Sequence, residues 1–174
     1  MNSVIYLGGG CFWCIESAYK KIKGIVSVTP GYMGGKNPNP TYEEVCEGYT
    51  NHVEVIKLEY DDINILQILN IFFVIHDPTS INRQGADVGT QYRSAIFCDS
   101  NERPSIVDYI QELEKKDIFN DKIVTEVNEL SDFYIAEDYH HDYFAKNPGN
   151  AYCQAVINPK LAKLRLSFSD LISE

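Results

Sequence analysis

The sequence predicts an α+β sandwich. Stretches of period-two alternation and stretches of helical spacing are mixed along the chain, and they do not follow the strict βαβ repeat of a doubly wound sheet. At 174 residues the chain fits one domain, residues 1–174, whose core needs no disulfide or metal staple.

The elements follow in order. "SVIYLGG" is a short apolar run closed by glycine and reads as a strand. In "CFWCIESAYKKIKGI", Phe12, Ile15, Tyr19 and Ile22 fall near helical spacing, with Gly24 as the stop. From Thr29 to Tyr49 the density of Gly, Pro and Asn predicts a long loop, functional or disordered. "HVEVIKLEY" alternates and reads as a strand, with Glu54 in phase with Ile56, Leu58 and Tyr60. A core-facing helix is expected over about Ile63 to Ile75, followed by the loop "HDPTSINRQGADVGTQ". "YRSAIFC" is a strand, "SIVDYIQELEKKD" an amphipathic helix and "KIVTEVNEL" a further strand. The last fifty residues are loop-rich and end in a short helix, roughly Lys160 to Ile172.

Composition is ordinary for a globular protein, with 44% apolar and 23% charged residues. A net charge of −10 argues against nucleic acid as a partner and disfavours an anionic membrane surface, both by repulsion. The apolar run "NILQILNIFFVIHD" is too short to span a bilayer. "MNSVIYL" leaves no room for a signal peptide, so a cytoplasmic setting is expected, where cysteines are more often catalytic or metal-binding than structural.

The chemistry gathers at "GGGCFWCIES". Cys11 falls where a strand meets a helix N-terminus, a position that lowers a thiol pKa, and Gly8, Gly9 and Gly10 allow close backbone approach to a substrate. It reads as a nucleophile or as a buried structural thiol. Cys14 completes a C-x-x-C and reads as a redox partner, half of a zinc site or helix packing. Cys46, Cys98 and Cys153 are isolated and give no second ligand pair. Phe12 and Trp13 either line an apolar pocket above the sulfur or belong to the core. Glu54, on the apolar face of its strand, reads as a desolvated general acid or as a solvated residue at a frayed strand start. Tyr42 and Tyr92 lie in the two functional-looking loops or at their exits and offer uncharged hydrogen-bond donors. "GYMGGK" fails the phosphate-loop pattern at Pro30 and Asn37.

Taken together, "GGGCFWCIES", "PGYMGGKNPNPTYEEVC", "HDPTSINRQGADVGTQYRS", "AEDYHHDYF" and "KNPGNAYC" resemble the A-class peptide methionine sulfoxide reductases from about Val4 to Lys163. The resemblance implies reduction of the S epimer of methionine sulfoxide, free or in proteins, in protein repair. It implies Cys11 as nucleophile, Phe12 and Trp13 as the pocket for the substrate methyl, Glu54 as proton donor, and Tyr42 and Tyr92 as phenols holding the sulfoxide oxygen. Asp87 and His140 match residues that position the substrate backbone. Cys153 matches the resolving cysteine, which condenses with a Cys11 sulfenic acid to a disulfide that thioredoxin reduces. Cys14 is the alternative resolver. No metal or organic cofactor is implied, and a monomer is the simplest expectation. The implied fold is a two-layer α/β sandwich with a ferredoxin-like core and a long irregular C-terminal segment. Asn51 stands where a glycine is usual before "HVE", which puts the turn presenting Glu54 in question.

Overall fold

A computed structural model describes residues 2–173. Its elements are β1 (Ser3–Gly8), α1 (Phe12–Tyr19), β2 (Ile25–Met33), α2 (Tyr42–Cys46), β3 (Val53–Tyr60), α3 (Ile65–Ile75), β4 (Arg83–Gln84), β5 (Asp87–Val88), β6 (Ala95–Cys98), α4 (Arg103–Lys115), β7 (Glu126–Glu129), β8 (Phe133–Ile135), α5 (Tyr143–Lys146) and α6 (Asn158–Ser167). A six-stranded sheet runs in the order β7-β6-β1-β3-β2-β8, and β4 with β5 forms a separate ribbon. The four inner strands pair antiparallel, whereas β7 joins β6 in parallel. The fold is mixed α/β.

Alternation decides the layers. Ile5 pairs with Leu58 and Leu7 with Ile56, so both pairs face the same side, where they meet Phe12, Ile15, Phe72, Ile106 and Leu161 from the helices. The other face is thinner, built from Met33, Val53, Val55, Ala95 and Phe97 with Tyr6 and Phe133 beside them.

Two segments expected as loop are ordered. β2 runs through Thr29 to Met33, and α2 begins at Tyr42 behind a complete capping box between Thr41 and Glu44. Tyr92 lies in a 3-10 turn before β6 rather than in the strand. The C-terminal segment also departs from expectation: Cys153–Ile157 is a π-helical turn that runs directly into α6. No helix among the described residues is long and apolar enough to cross a membrane.

Candidate active site

The site forms where β1 hands the chain to α1. Gly10 sits at φ +92 and donates its N–H to the Tyr92 carbonyl at 3.2 Å. A Cβ on Gly8 would lie 2.6 Å from Val53 and 3.0 Å from the Glu54 carbonyl. Gly8 therefore lets β1 pack closely on β3, while a Cβ on Gly9 or Gly10 would meet His76 or Gln84.

Cys11 is the N-cap of α1, with extended backbone, and its carbonyl accepts from the Cys14 N–H at 3.1 Å. The residue is 8% exposed. Burial, then the hydrogen bond with Cys14 and the nearby charge of Glu54, raise its pKa well above the ordinary thiol value. Burial is the largest of these influences and runs against the lowering expected of a helix N-terminus, which the Trp13 N–H supplies in part. The low-pKa sulfur of the pair is Cys14, brought down to about 7 by its hydrogen bond with Cys11, with Lys160 and Tyr152 helping.

Glu54 points into the same region from β3. It is 1% exposed, so the reading as a frayed, solvated residue is excluded. Its Oε1 accepts the Phe12 N–H at 3.1 Å, and Oε2 is buried without a partner. Burial lifts its pKa to about 8, so the carboxyl keeps its proton at neutrality and Oε2 can carry it as a donor. Asn51 adopts φ 61, the left-handed conformation that asparagine tolerates, so the turn before β3 is kept without glycine.

The aromatic residues divide. Phe12 is fully buried, its ring 5.7 Å from Tyr32 and 5.0 Å from His140. Trp13 is half-buried, stacks on Tyr143 at 3.7 Å and 5°, and donates its indole N–H to His140 Nδ1 at 3.0 Å. His140 is buried and desolvation lowers its pKa, so the ring is neutral. With Nδ1 accepting, its proton sits on Nε2, which has no partner. Tyr42 lies with its ring 4.4 Å from His140, and Glu137 fixes it by accepting the Tyr42 N–H at 2.8 Å. Tyr42 and Tyr92 are half-buried. Burial above all holds both phenols protonated.

Asp87 lines the chamber that Cys11 and Cys14 border, and Cys153 is near enough to Cys14 to feel its charge. Asp87 Oδ2 accepts from the Tyr152 hydroxyl at 2.6 Å, and that hydroxyl lies 3.7 Å from Cys14 Sγ. Cys153 is fully buried in the π-helical turn, its N–H held by Asn150 Oδ1 at 3.3 Å. Its thiol pKa is raised by burial and then by the Cys14 charge. Tyr143, Tyr152 and Glu137 were missed in the sequence. The aromatic spacing of "DYHHDYF" was the available signal for Tyr143; nothing local marks Glu137. Among the described residues no three His, Cys, Asp or Glu side chains gather as a metal site.

A buried thiol pair, a carboxyl that keeps its proton and an aromatic wall define a site for thiol chemistry at an apolar electrophile. The sequence profile described as "Peptide methionine sulfoxide reductase" matches residues 3–171, and the chain belongs to that family. It is 51% identical to the peptide methionine sulfoxide reductase MsrA of Saccharolobus solfataricus, covering 97% of this chain and 96% of that one. It is 49% identical to that of Trichodesmium erythraeum, covering 99% of each. Among solved structures, reduced Mxr1 from Saccharomyces cerevisiae matches with TM-score 0.81 at 36% identity, over 87% of this chain and 89% of that one. Methionine sulfoxide reductase A of Corynebacterium diphtheriae matches with TM-score 0.71 at 36% identity, over 84% and 76%.

Proposed function

We propose that this chain reduces the S epimer of methionine sulfoxide, free or within oxidised proteins, to methionine, and so repairs proteins. The observation that carries the reading is the buried, protonated Glu54 beside Cys11, with one carboxyl oxygen unpartnered. A sulfoxide sulfur is a poor electrophile until its oxygen is protonated, and Glu54 Oε2 is a donor with nothing else to bond. Tyr42 and Tyr92 hold the same oxygen as charge develops on it. Phe12 and Trp13 receive the methyl group, while His140 sets the indole through its hydrogen bond and Asp87 fixes Tyr152 at the margin of the site.

The Cys11 proton leaves first, and Cys14, the more readily ionised thiol of the pair, is a neighbouring acceptor for it. The thiolate attacks the sulfoxide sulfur, oxygen passes to Cys11 and methionine departs, leaving a sulfenic acid. A second thiol of the chain then attacks the Cys11 sulfur, and the hydroxyl leaves as water with one proton. The family likeness points to Cys153 for that step. Placement favours Cys14 ahead of it: Cys11 and Cys14 border one chamber, and their backbones meet through the Cys14 N–H and the Cys11 carbonyl, whereas Cys153 is buried in a helical turn. Thioredoxin then reduces the disulfide by exchange. No metal or organic cofactor enters. The order β6-β1-β3-β2, with α1 and α3 as crossovers, supports a ferredoxin-like core within a single domain, which we read as a cytoplasmic monomer.

The reading is tested with reduced protein and separated sulfoxide epimers. Methionine should form from the S epimer only, and Cys11→Ser should form none; equal turnover of both epimers would remove the assignment. With thioredoxin present, Cys14→Ser should stall after about one equivalent while Cys153→Ser continues. The reverse pattern would return resolution to Cys153.

A further inference from the structure

Both active-site sulfurs border a chamber of about 680 Å³ that Asp87 and Tyr152 also line, and that none of Phe12, Trp13, Tyr42, Tyr92 or Glu54 lines. α3 supplies one wall through Phe73 and Ile75, and the C-terminal helical segment supplies the other through Val156 and Pro159. A space of this size suits a small molecule rather than a folded partner, and the sulfurs at its edge are nearly closed to anything larger: Cys11 is 8% and Cys14 2% exposed.

The charges of the chamber are unevenly committed. Asp77 accepts from the Thr79 N–H, the Thr79 hydroxyl and the Ser80 hydroxyl, and Asp87 accepts from Tyr152. Lys160 and Lys163, on α6, also line it, and among the described residues neither joins an ion pair. Lys160 is near enough to Cys14 to favour its thiolate and near enough to His76 to oppose that ring's protonation. The two carboxylates are engaged by hydroxyl and N–H donors, whereas the two ammonium groups have no carboxylate partner and stay available to an anionic group that enters the chamber.

We propose that this chamber admits a low-molecular-weight thiol bearing a carboxylate, which Lys160 and Lys163 hold while its sulfur reduces a Cys11–Cys14 disulfide. The inference rests on the proposed reaction only for the disulfide it consumes. The incoming thiolate attacks Cys11 Sγ, the S–S bond breaks and Cys14 leaves as thiolate, the sulfur that carries charge more readily. A second thiol molecule attacks the outer sulfur of the mixed disulfide. Cys11 is released as a thiol, the two small thiols leave as their own disulfide, and two electrons have passed to the protein.

The test uses full-length protein oxidised with diamide, so that it does not depend on sulfoxide turnover. Disulfide mapping first establishes the Cys11–Cys14 bond. Rates of thiol recovery are then measured with 3-mercaptopropionate, 2-mercaptoethanol and cysteamine, each divided by its rate with bis(2-hydroxyethyl) disulfide to remove intrinsic reactivity. The carboxylate thiol should be favoured over the ammonium thiol by about tenfold, on the scale of two partly exposed charge pairs. In a Lys160→Gln/Lys163→Gln variant the ratio should fall to about one; because it is a ratio within one protein, any shift in Cys14 itself cancels. No preference in the wild type overturns the proposal, as does an unchanged preference in the variant. Reduction by thioredoxin with no reaction from small thiols, or failure of Cys11 and Cys14 to bond, overturns it equally. Failure of reduced protein to release methionine from the sulfoxide would count against the reductase reading instead and leave these ratios standing.

Discussion

Glu54 carries the clearest residue-scale consequence. Its folded pKa of about 8 lies above the ordinary 4.5, so the folded protein holds a proton that the unfolded chain has released between those values. Stability from this group is complete below about pH 4.5 and falls as pH rises through 8, at up to roughly 1.4 kcal/mol per pH unit. Glu54→Gln should flatten that slope in denaturant titrations at pH 5 and pH 8; an unchanged slope would mean the carboxyl ionises freely. The same variant should reduce sulfoxide about 10²–10⁴-fold more slowly, and the wild-type rate should decline above about pH 8. The position of Glu54 was legible because its phase with Ile56, Leu58 and Tyr60 put it on the buried face. The ionisation of Cys11 was not, because it depends on Cys14, Glu54 and burial converging in space. Asn51 shows a milder case, in which a departure from glycine preserves the backbone conformation.

At the scale of elements, one buried carboxylate joins α1 to the C-terminal segment. Both oxygens of Glu16, which is 2% exposed, accept the Asp142 N–H at 3.0 Å, and Lys20 pairs with Asp142 at 2.9 Å. Those contacts hold the stretch that carries His140 and Tyr143 against Trp13. Glu16→Ala should cost about 1–3 kcal/mol and raise KM more than it lowers kcat. Steady-state kinetics and denaturation check this together, and a fall confined to kcat would point to a role in the chemistry itself. The strands and long helices were readable from periodicity. β2 was hidden by Pro30 and Gly31, residues that argue against a central strand, and is held by its pairing with β3 and β8. α2 carried a local signal in Thr41 and Glu44, although at five residues it offered no periodicity to read. The π-helical turn at Cys153 had none, since such a turn is set by packing into α6 rather than by composition.

The whole molecule places the reactive sulfurs between a sheet face and its helices. The sheet supplies the acid, α1 the thiols and aromatic side chains, and the C-terminal segment closes the margin with His140, Tyr143 and Tyr152. The mixed fold and the central residues were therefore legible, while the chamber beside the sulfurs depends on how α3 and α6 stand apart, which no local pattern encodes. The most direct measurement combines methionine quantification with disulfide mapping after reduced protein meets excess S-sulfoxide without a reductant. One methionine should form per protein, with Cys11 then bonded to Cys14. Methionine released while Cys11 remains a free thiol would contradict the account.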